Sequence, residues 1–389
     1  MTEAMIVSAV RTPIATAYKG TLRDSPAETL ASHVLGESVR RSGLQPDRFD
    51  DVILAESLYG GGDLARYAAV ASGMTTVSGQ AVNRHCAGSL TAVGNAAGVI
   101  RADMESAVIA GGAQSTSLSP TLSWKVTGSD WSIERMPPTF PHTADATDDV
   151  SLIVGWSTAV RYDVSREEMD AWALRSHERA VAAIDAGVFN DEIAPLKLTQ
   201  PDGSLHEFAV DEHPRRDTSA ERLSRLKPIH PEIPGFSITA GNSSGLNDAA
   251  AAIALVSDDL ARSESLNTLG RVRAWAAVGV DPRYSGQGAI DAIRKVLARA
   301  DLSVSDIHLW EINEAFASVP VAACRELDID DTHVNAFGSG CSLGHPIAAS
   351  GARMLATLTF ALGRRGGGIG LAAMCAGGGQ GGAVVIEVS

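Results

Sequence analysis

The chain repeats itself once, and the repeat limits its fold. After Cys86, a helical stretch rich in small residues leads into the apolar run Ala107–Gly112, which closes with Ala110-Gly-Gly-Ala-Gln114. After His345, a similar stretch (PIAASGARMLATLTFAL) leads into Gly370–Cys375, followed by Ala376-Gly-Gly-Gly-Gln380. A helix-then-strand unit used twice predicts two halves built on one plan. Met5–Val10 and Asp51–Leu54 also read as strands, and Ala27–Ser42 between them reads as a helix with a small-residue face. Such alternation predicts an α/β fold, with helices covering a mostly parallel sheet. Glycine supplies 38 of 389 residues and aromatics only 5%, so small side chains must do much of the close packing.

Between about residues 115 and 240 the texture changes, with MPPTFPHTADATDD, a helix over Arg166–Ala186 and the charged stretch DEHPRRDTSAERLSRLKP. This block reads as a loop or lid carried by the α/β body. The expected partition is therefore an N-terminal half at 1–114 completed by 241–262, the insertion at 115–240, and a C-terminal half at 263–389. The formal net charge of −14 repels phosphate backbones and argues against a nucleic-acid partner held by bulk electrostatics. Cysteines at 86, 324, 341 and 375 are too few and too scattered for a disulfide framework. MTEAMIVSAVRTP shows no basic-then-apolar secretory pattern, and the uncharged run Ala87–Ile100 is too short and polar to span a membrane. A cytoplasmic protein without a membrane span is expected.

Four segments carry chemistry. Asn83-Arg-His-Cys-Ala-Gly-Ser89 places Cys86 at a strand-to-helix turn, where free N–H groups and the helix dipole favour a thiolate. A buried structural cysteine fits that position equally well. In the glycine-rich run from Asn335 to Arg353, His345 precedes Pro346, a residue suited to a first helical turn. Met374-Cys-Ala-Gly-Gly-Gly-Gln380 puts Cys375 at a strand end, and Trp310-Glu-Ile-Asn-Glu-Ala-Phe-Ala317 puts Asn313 and Glu314 after an apolar run.

Together these segments resemble the thiolase family, in the family's order and across nearly the whole chain. The resemblance rests on Arg11-Thr-Pro13, NRHC, AGNSSGLNDAAAA at 240–252, INEAFA, LGHPIAASGAR and CAGGG. It implies duplicated α/β halves layered α-β-α-β-α with an inserted loop domain. It further implies Cys86 as the acyl-accepting nucleophile, His345 as its activating partner and Cys375 as general acid and base. Asn313, through a water, and His345 would hold one oxyanion, and the backbone N–H groups of Cys86 and Gly377 the other. Coenzyme A and acyl-CoA are implied as substrates, with no permanent cofactor, no metal, and a homodimer or homotetramer.

The chemistry explains the need for such residues. A cysteine of pKa about 8.5 is only a few per cent thiolate at neutral pH, and lowering it by two units takes roughly 2.7 kcal/mol. A helix N-terminus supplies about 0.3–1 kcal/mol, up to about 2 in good geometry, so a histidine partner is needed. Claisen chemistry then needs a base beside the α-carbon of a thioester, and donors for the enolate. Coenzyme A must bind through a local basic patch, and Arg215 to Lys227 concentrates five basic residues in thirteen. Most such runs are solvated helix faces with i,i+4 pairs. Its place before AGNSSG resembles the family's CoA-contacting segment, with Ser244 matching the pantetheine-contacting serine and either Arg215 or Arg216 the nucleotide-contacting arginine.

Departures from the family bear on specificity. The nucleophile loop reads Cys-Ala-Gly-Ser where Cys-x-Ser-Gly is usual, and Ser151-Leu-Ile-Val-Gly-Trp156 stands where Met-Gly-x-Thr-Ala-Glu is usual. The covering segment 115–150 is short and contains Trp124 and Trp131. Room at the acyl end, with Leu152, Ile153 and Trp156 in contact, predicts medium, branched or bulky 3-oxoacyl-CoA substrates. The opposing reading has Trp124, Trp131 or Trp156 filling that space, leaving a short-chain acetoacetyl-CoA thiolase. A ketosynthase relative would lack Cys375, and a non-catalytic lipid carrier would have lost a catalytic residue. Cys341 and Cys324 are expected to serve packing.

Overall fold

A computed structural model describes residues 2–141, 147–199 and 203–389. The covering segment therefore includes residues 142–146, which lie outside the described residues. Nine strands carry the sheet: β1 (Ala4–Arg11), β2 (Asp51–Ala55), β3 (Ser78–Val82), β4 (Ala107–Gln114), β5 (Asn247–Ser257), β6 (Gly270–Gly279), β7 (Leu309–Ile312), β8 (Gly368–Ala376) and β9 (Gln380–Val388). Their order is β7-β8-β9-β6-β1-β5-β4-β2-β3, and the short strand Ala15–Thr16 pairs with β5.

The expected duplication is present in the pairing. Outward from the centre, β1, β5 and β4 are antiparallel neighbours and β4 is parallel to β2; β6, β9 and β8 repeat this, with β8 parallel to β7. The expectation of a mostly parallel sheet is corrected. The sheet is mixed, and parallel pairing is confined to its two ends. The cause is that β5 and β9 insert between strands joined by helical crossovers. A strand buried on both faces reads as an apolar run in either direction.

Seven helices complete the layers: α1 (Ala27–Ser42), α2 (Leu64–Ala71), α3 (Gly88–Arg101), α4 (Arg166–Asp185), α5 (Gln287–Ala300), α6 (Ser318–Leu327) and α7 (Ser350–Arg364). Helices α3 and α7 touch each other and strands of both halves, α1 and α2 cover the outer face of one half, and α5 packs against β6, β8 and β9. The order is α-β-α-β-α. Strand β5 shows why the layers hold: Ala251, Ile253 and Leu255 join the central core, while Ala250, Ala252, Ala254 and Val256 join the outer one.

Small residues allow the central helices to meet. A Cβ at Gly351 of α7 would lie 2.7 Å from the Leu90 nitrogen of α3. The close approach places the starts of both helices, and so Cys86 and His345, beside each other.

Candidate active site

Cys86 lies in the single turn His85–Ala87 that opens α3, and Cys375 lies near the end of β8. His345 lies in the loop before α7; the turn at Pro346 precedes a helix that begins only at Ser350. All three line one cavity of about 550 Å³, together with Gly377 and Ser244. Asn313 follows β7 directly and is fully buried behind His345, its Nδ2 3.4 Å from each ring nitrogen. Its Oδ1 has no partner among the described residues. Sequence positions separated by up to 291 residues thus converge on one place.

At Cys86 the helix dipole is opposed by burial. Burial pushes the Cys86 thiol up to about 11, although the backbone N–H groups of Gly377 and of Cys86 itself pull it down. Desolvation outweighs a helix-terminus contribution of about 1 kcal/mol. Burial also lowers His345 to about 3, with Arg353 acting in the same direction. A protonated thiol beside a neutral imidazole is the starting state of a nucleophile and its general base. Burial raises the Cys375 thiol further still, and the neighbouring Cys86 adds to it.

Several positioning groups fell within quoted motifs without being assigned a task. Ser350 Oγ lies 2.6 Å from His345 Nδ1 and donates to the Pro346 carbonyl at 2.9 Å. With its proton so committed, Ser350 accepts from Nδ1–H, and the basic lone pair falls on Nε2. Asn247 Oδ1 accepts the His345 N–H at 2.9 Å. Gly344, at φ +103°, passes so near Asn247 that a Cβ would lie 2.5 Å from Oδ1. Only glycine fits there. Glu314 accepts from Trp172, Ser176, Asn335 and the Cys341 N–H, fixing the insertion's helix α4 to the Asn313 strand. Cys341 and Cys324 are buried, and burial raises both thiols.

The basic stretch is divided. Arg216 is engaged bidentately by Asp185 at 2.6 and 2.8 Å, and Arg222 and Arg225 pair with Asp217 and Glu221. Those three behave as the solvated face expected of ordinary charge runs. Ser244 lies on the cavity wall, its N–H bound to the Ala315 carbonyl.

The divergent segment Ser151–Trp156 forms a wide-turn helix continuing into Ser157–Arg161. Ile153 and Val154 line the cavity; Trp156 instead packs on Phe236, with ring centroids 5.1 Å apart. Trp124 sits in the exposed hairpin formed by Ser123–Lys125 and Ser132–Glu134, with Trp131 in its turn. The expected contacts of Leu152 and Trp156 are not seen at the cavity, whose lining includes neither; both pack against the core beneath the helix.

The family description "Thiolase, N-terminal domain" matches residues 4–259, and "Thiolase, C-terminal domain" matches residues 266–388. The chain belongs to the thiolase family. This thiolase is 38% identical to a probable acetyl-CoA acetyltransferase of Escherichia coli (strain K12), over 100% of this chain and 99% of that protein. It is also 38% identical to a beta-ketoadipyl-CoA thiolase of Escherichia coli, over 100% of both. Among solved structures, Bacillus anthracis acetyl-CoA acetyltransferase is similar at TM-score 0.90 and 37% identity, covering 100% of this chain and 99% of that one. Human mitochondrial 3-ketoacyl-CoA thiolase is similar at TM-score 0.88 and 32% identity, with the same coverage. The thiolase is accordingly an acyltransferase of that family. Among its described residues, no group of three or more His, Cys, Asp or Glu is placed to hold a metal, and no helix is long and apolar enough to cross a membrane.

Elsewhere in this thiolase, His230 bridges Asp149 and Glu232 at 2.9 and 2.8 Å, and its Nε2 is 3.1 Å from Ser151 Oγ. The line of serine, histidine and glutamate is not a hydrolytic triad, because Ser151 donates to Asp149 and the imidazole faces two carboxylates. It is an ion-pair latch on the start of the helix at 151. Its hydrogen bond to Glu232, then that to Asp149, raises the His230 pKa. A raised histidine contributes stability fully below its unfolded value near 6.5, and loses it as pH rises through the folded value. The Tm difference between wild type and His230→Gln is therefore expected to be larger at pH 6 than at pH 8.5; an equal difference at both overturns the latch.

Proposed function

We propose that this thiolase cleaves or forms 3-oxoacyl-CoA by ping-pong Claisen chemistry through an acyl-Cys86 intermediate. The observation that carries the reading is the meeting of Cys86, Cys375, neutral His345 and the Gly377 N–H at one cavity. In thiolysis, the Cys86 proton passes to His345 Nε2 and the sulfur attacks the 3-oxo carbon. His345 and, through a water, Asn313 hold one oxyanion, and the N–H groups of Cys86 and Gly377 hold the other. The C2–C3 bond then breaks, and the Cys375 thiol protonates the departing acetyl-CoA enolate. Cys375, now a thiolate, takes the proton of an incoming CoA thiol, which attacks acyl-Cys86 and releases the shortened acyl-CoA. Every proton returns to its donor, so no permanent cofactor is required.

Coenzyme A is assigned to Ser244 and Arg215. Arg216 is engaged by Asp185 in a surface pair, whereas Arg215 is exposed with no ion pair among the described residues, which favours Arg215 for the nucleotide. In the same reading the halves are 1–114 with 241–262 and 263–389, the insertion 115–240 contacts CoA, and a homodimer or homotetramer acts in the cytoplasm.

We assign the acyl site to medium, branched or bulky chains. Supporting this, Ile153, Val154, Phe316, Met136 and Phe140 give the cavity an apolar wall, and Trp156 is turned away from it. Each additional buried methylene is worth about 0.8 kcal/mol, roughly fourfold. Three or four give on the order of a hundredfold in kcat/KM over acetoacetyl-CoA. The second reading, a short-chain enzyme, is favoured by relatives named acetyl-CoA acetyltransferase. A thiolysis panel from acetoacetyl-CoA to long, branched and ring-bearing 3-oxoacyl-CoAs tests the two. A specificity constant highest for acetoacetyl-CoA, falling with every added carbon, decides for the second.

A further inference from the structure

We propose that His85, which the acyl-transfer steps do not use, sets together with Thr139 how long an acyl chain the cavity accepts; the inference rests on the thiolase reading above. His85 immediately precedes Cys86 and has φ 46°, in the left-handed region that histidine tolerates better than most side chains. Two hydrogen bonds fix it there. Its N–H donates to Asn83 Oδ1 at 2.9 Å, and its carbonyl accepts from Ser57 Oγ at 2.8 Å. The ring then lies against Gly377, where a Cβ would be 3.4 Å from His85 Cγ.

The ring's partner comes from the covering segment. His85 Nε2 is 3.0 Å from Thr139 Oγ1, and the Thr139 methyl group rests on Gly378. Gly378 has φ +74°, and a Cβ there would lie 2.1 Å from Thr139 Cγ2, so glycine is required twice over. A single threonine thus seats the covering segment on both cysteine loops. Residues 131–139 are otherwise exposed, while Met136 to Phe140 all line the cavity. This contact closes the wall they form onto the cysteine loops. A hydrogen bond of ordinary net strength shifts such a closure several-fold. Burial lowers the His85 pKa, so the ring is neutral at neutral pH and presents no charge to the apolar chain beneath it.

The test uses the full-length enzyme with Thr139→Val, His85→Asn and the double variant. Valine keeps the methyl contact with Gly378 and removes only the hydroxyl, and asparagine tolerates the left-handed backbone but cannot span to Thr139. The ratio of kcat/KM for 3-oxododecanoyl-CoA over acetoacetyl-CoA is measured for each. Each single variant is expected to raise that ratio about tenfold, which corresponds to roughly two further methylenes admitted. The double variant should rise no further, because both changes break the same bond. A ratio within twofold of wild type in both single variants, or additive effects in the double, overturns the proposal. Mass spectrometry of the wild type after incubation with acyl-CoA separates the two readings. No adduct on Cys86 overturns the thiolase mechanism and this inference with it, whereas an adduct with unmoved ratios overturns this inference alone.

Discussion

Cys86→Ser is expected to abolish acyl-enzyme formation and to lower kcat by about 10⁴- to 10⁶-fold, the range seen when a catalytic nucleophile is removed. The wild-type thiol is held near 11 by burial, so it must lose its proton as it attacks. His345 is neutral, so a ring-nitrogen lone pair is free to receive that proton as the bond to carbon forms. A serine hydroxyl is far less acidic, and the same buried histidine, poorly basic in its surroundings, is not matched to it. Oxyanion donors and substrate binding remain, so a residual rate above the uncatalysed one is expected. Intact-protein mass spectrometry after incubation with acyl-CoA should show an adduct in the wild type and none in the variant. An adduct mapped to Cys324, Cys341 or Cys375 would sink the assignment.

Local elements were legible because their signals are local. The helix Ala27–Ser42 has the predicted bounds, and Asp51–Leu54 extends by one residue to Ala55. The Arg166 helix ends at Asp185, one residue before its predicted end. Sheet direction was not legible, since β5 is apolar on both faces and offers no period from which to read orientation. What does betray the antiparallel centre is the duplication itself, which places β5 and β9 in matching positions.

The site divides in the same way. Cys86, His345, Asn313 and Cys375 sit at strand ends and helix starts whose motifs are compact in sequence. Ser350, which orients His345, lies five residues on, but other positioning groups are distant: Asn247 lies 98 residues from His345, and Thr139 lies 54 from His85. No periodicity connects such pairs. How far burial raises the Cys86 thiol was not legible for a related reason. A helix start can be read from the sequence, whereas the desolvation that outweighs its dipole depends on what the fold packs around the sulfur. Trp156 likewise looked available to substrate until Phe236, 80 residues away, gave it a partner.

Cys375→Ala is expected to separate the two half-reactions. In the proposed mechanism Cys375 forms no covalent bond with the acyl group; it supplies a proton to one enolate and removes a proton from an incoming thiol or α-carbon. Positioned general acid–base catalysis is worth about 10²- to 10⁴-fold, and overall condensation should fall by that factor. Transfer of an acetyl group from acetyl-CoA to Cys86 depends on His345 and the Gly377 N–H, so labelling of Cys86 should persist at a reduced rate. Alanine is smaller than cysteine and apolar, and position 375 is buried at the end of β8, so the fold should survive the change. Radiolabelled acetyl transfer and steady-state condensation, measured on one preparation, give the comparison. Near-wild-type condensation would make Cys375 a packing residue, and equal loss of both steps would place it in the attack on the thioester rather than in proton transfer.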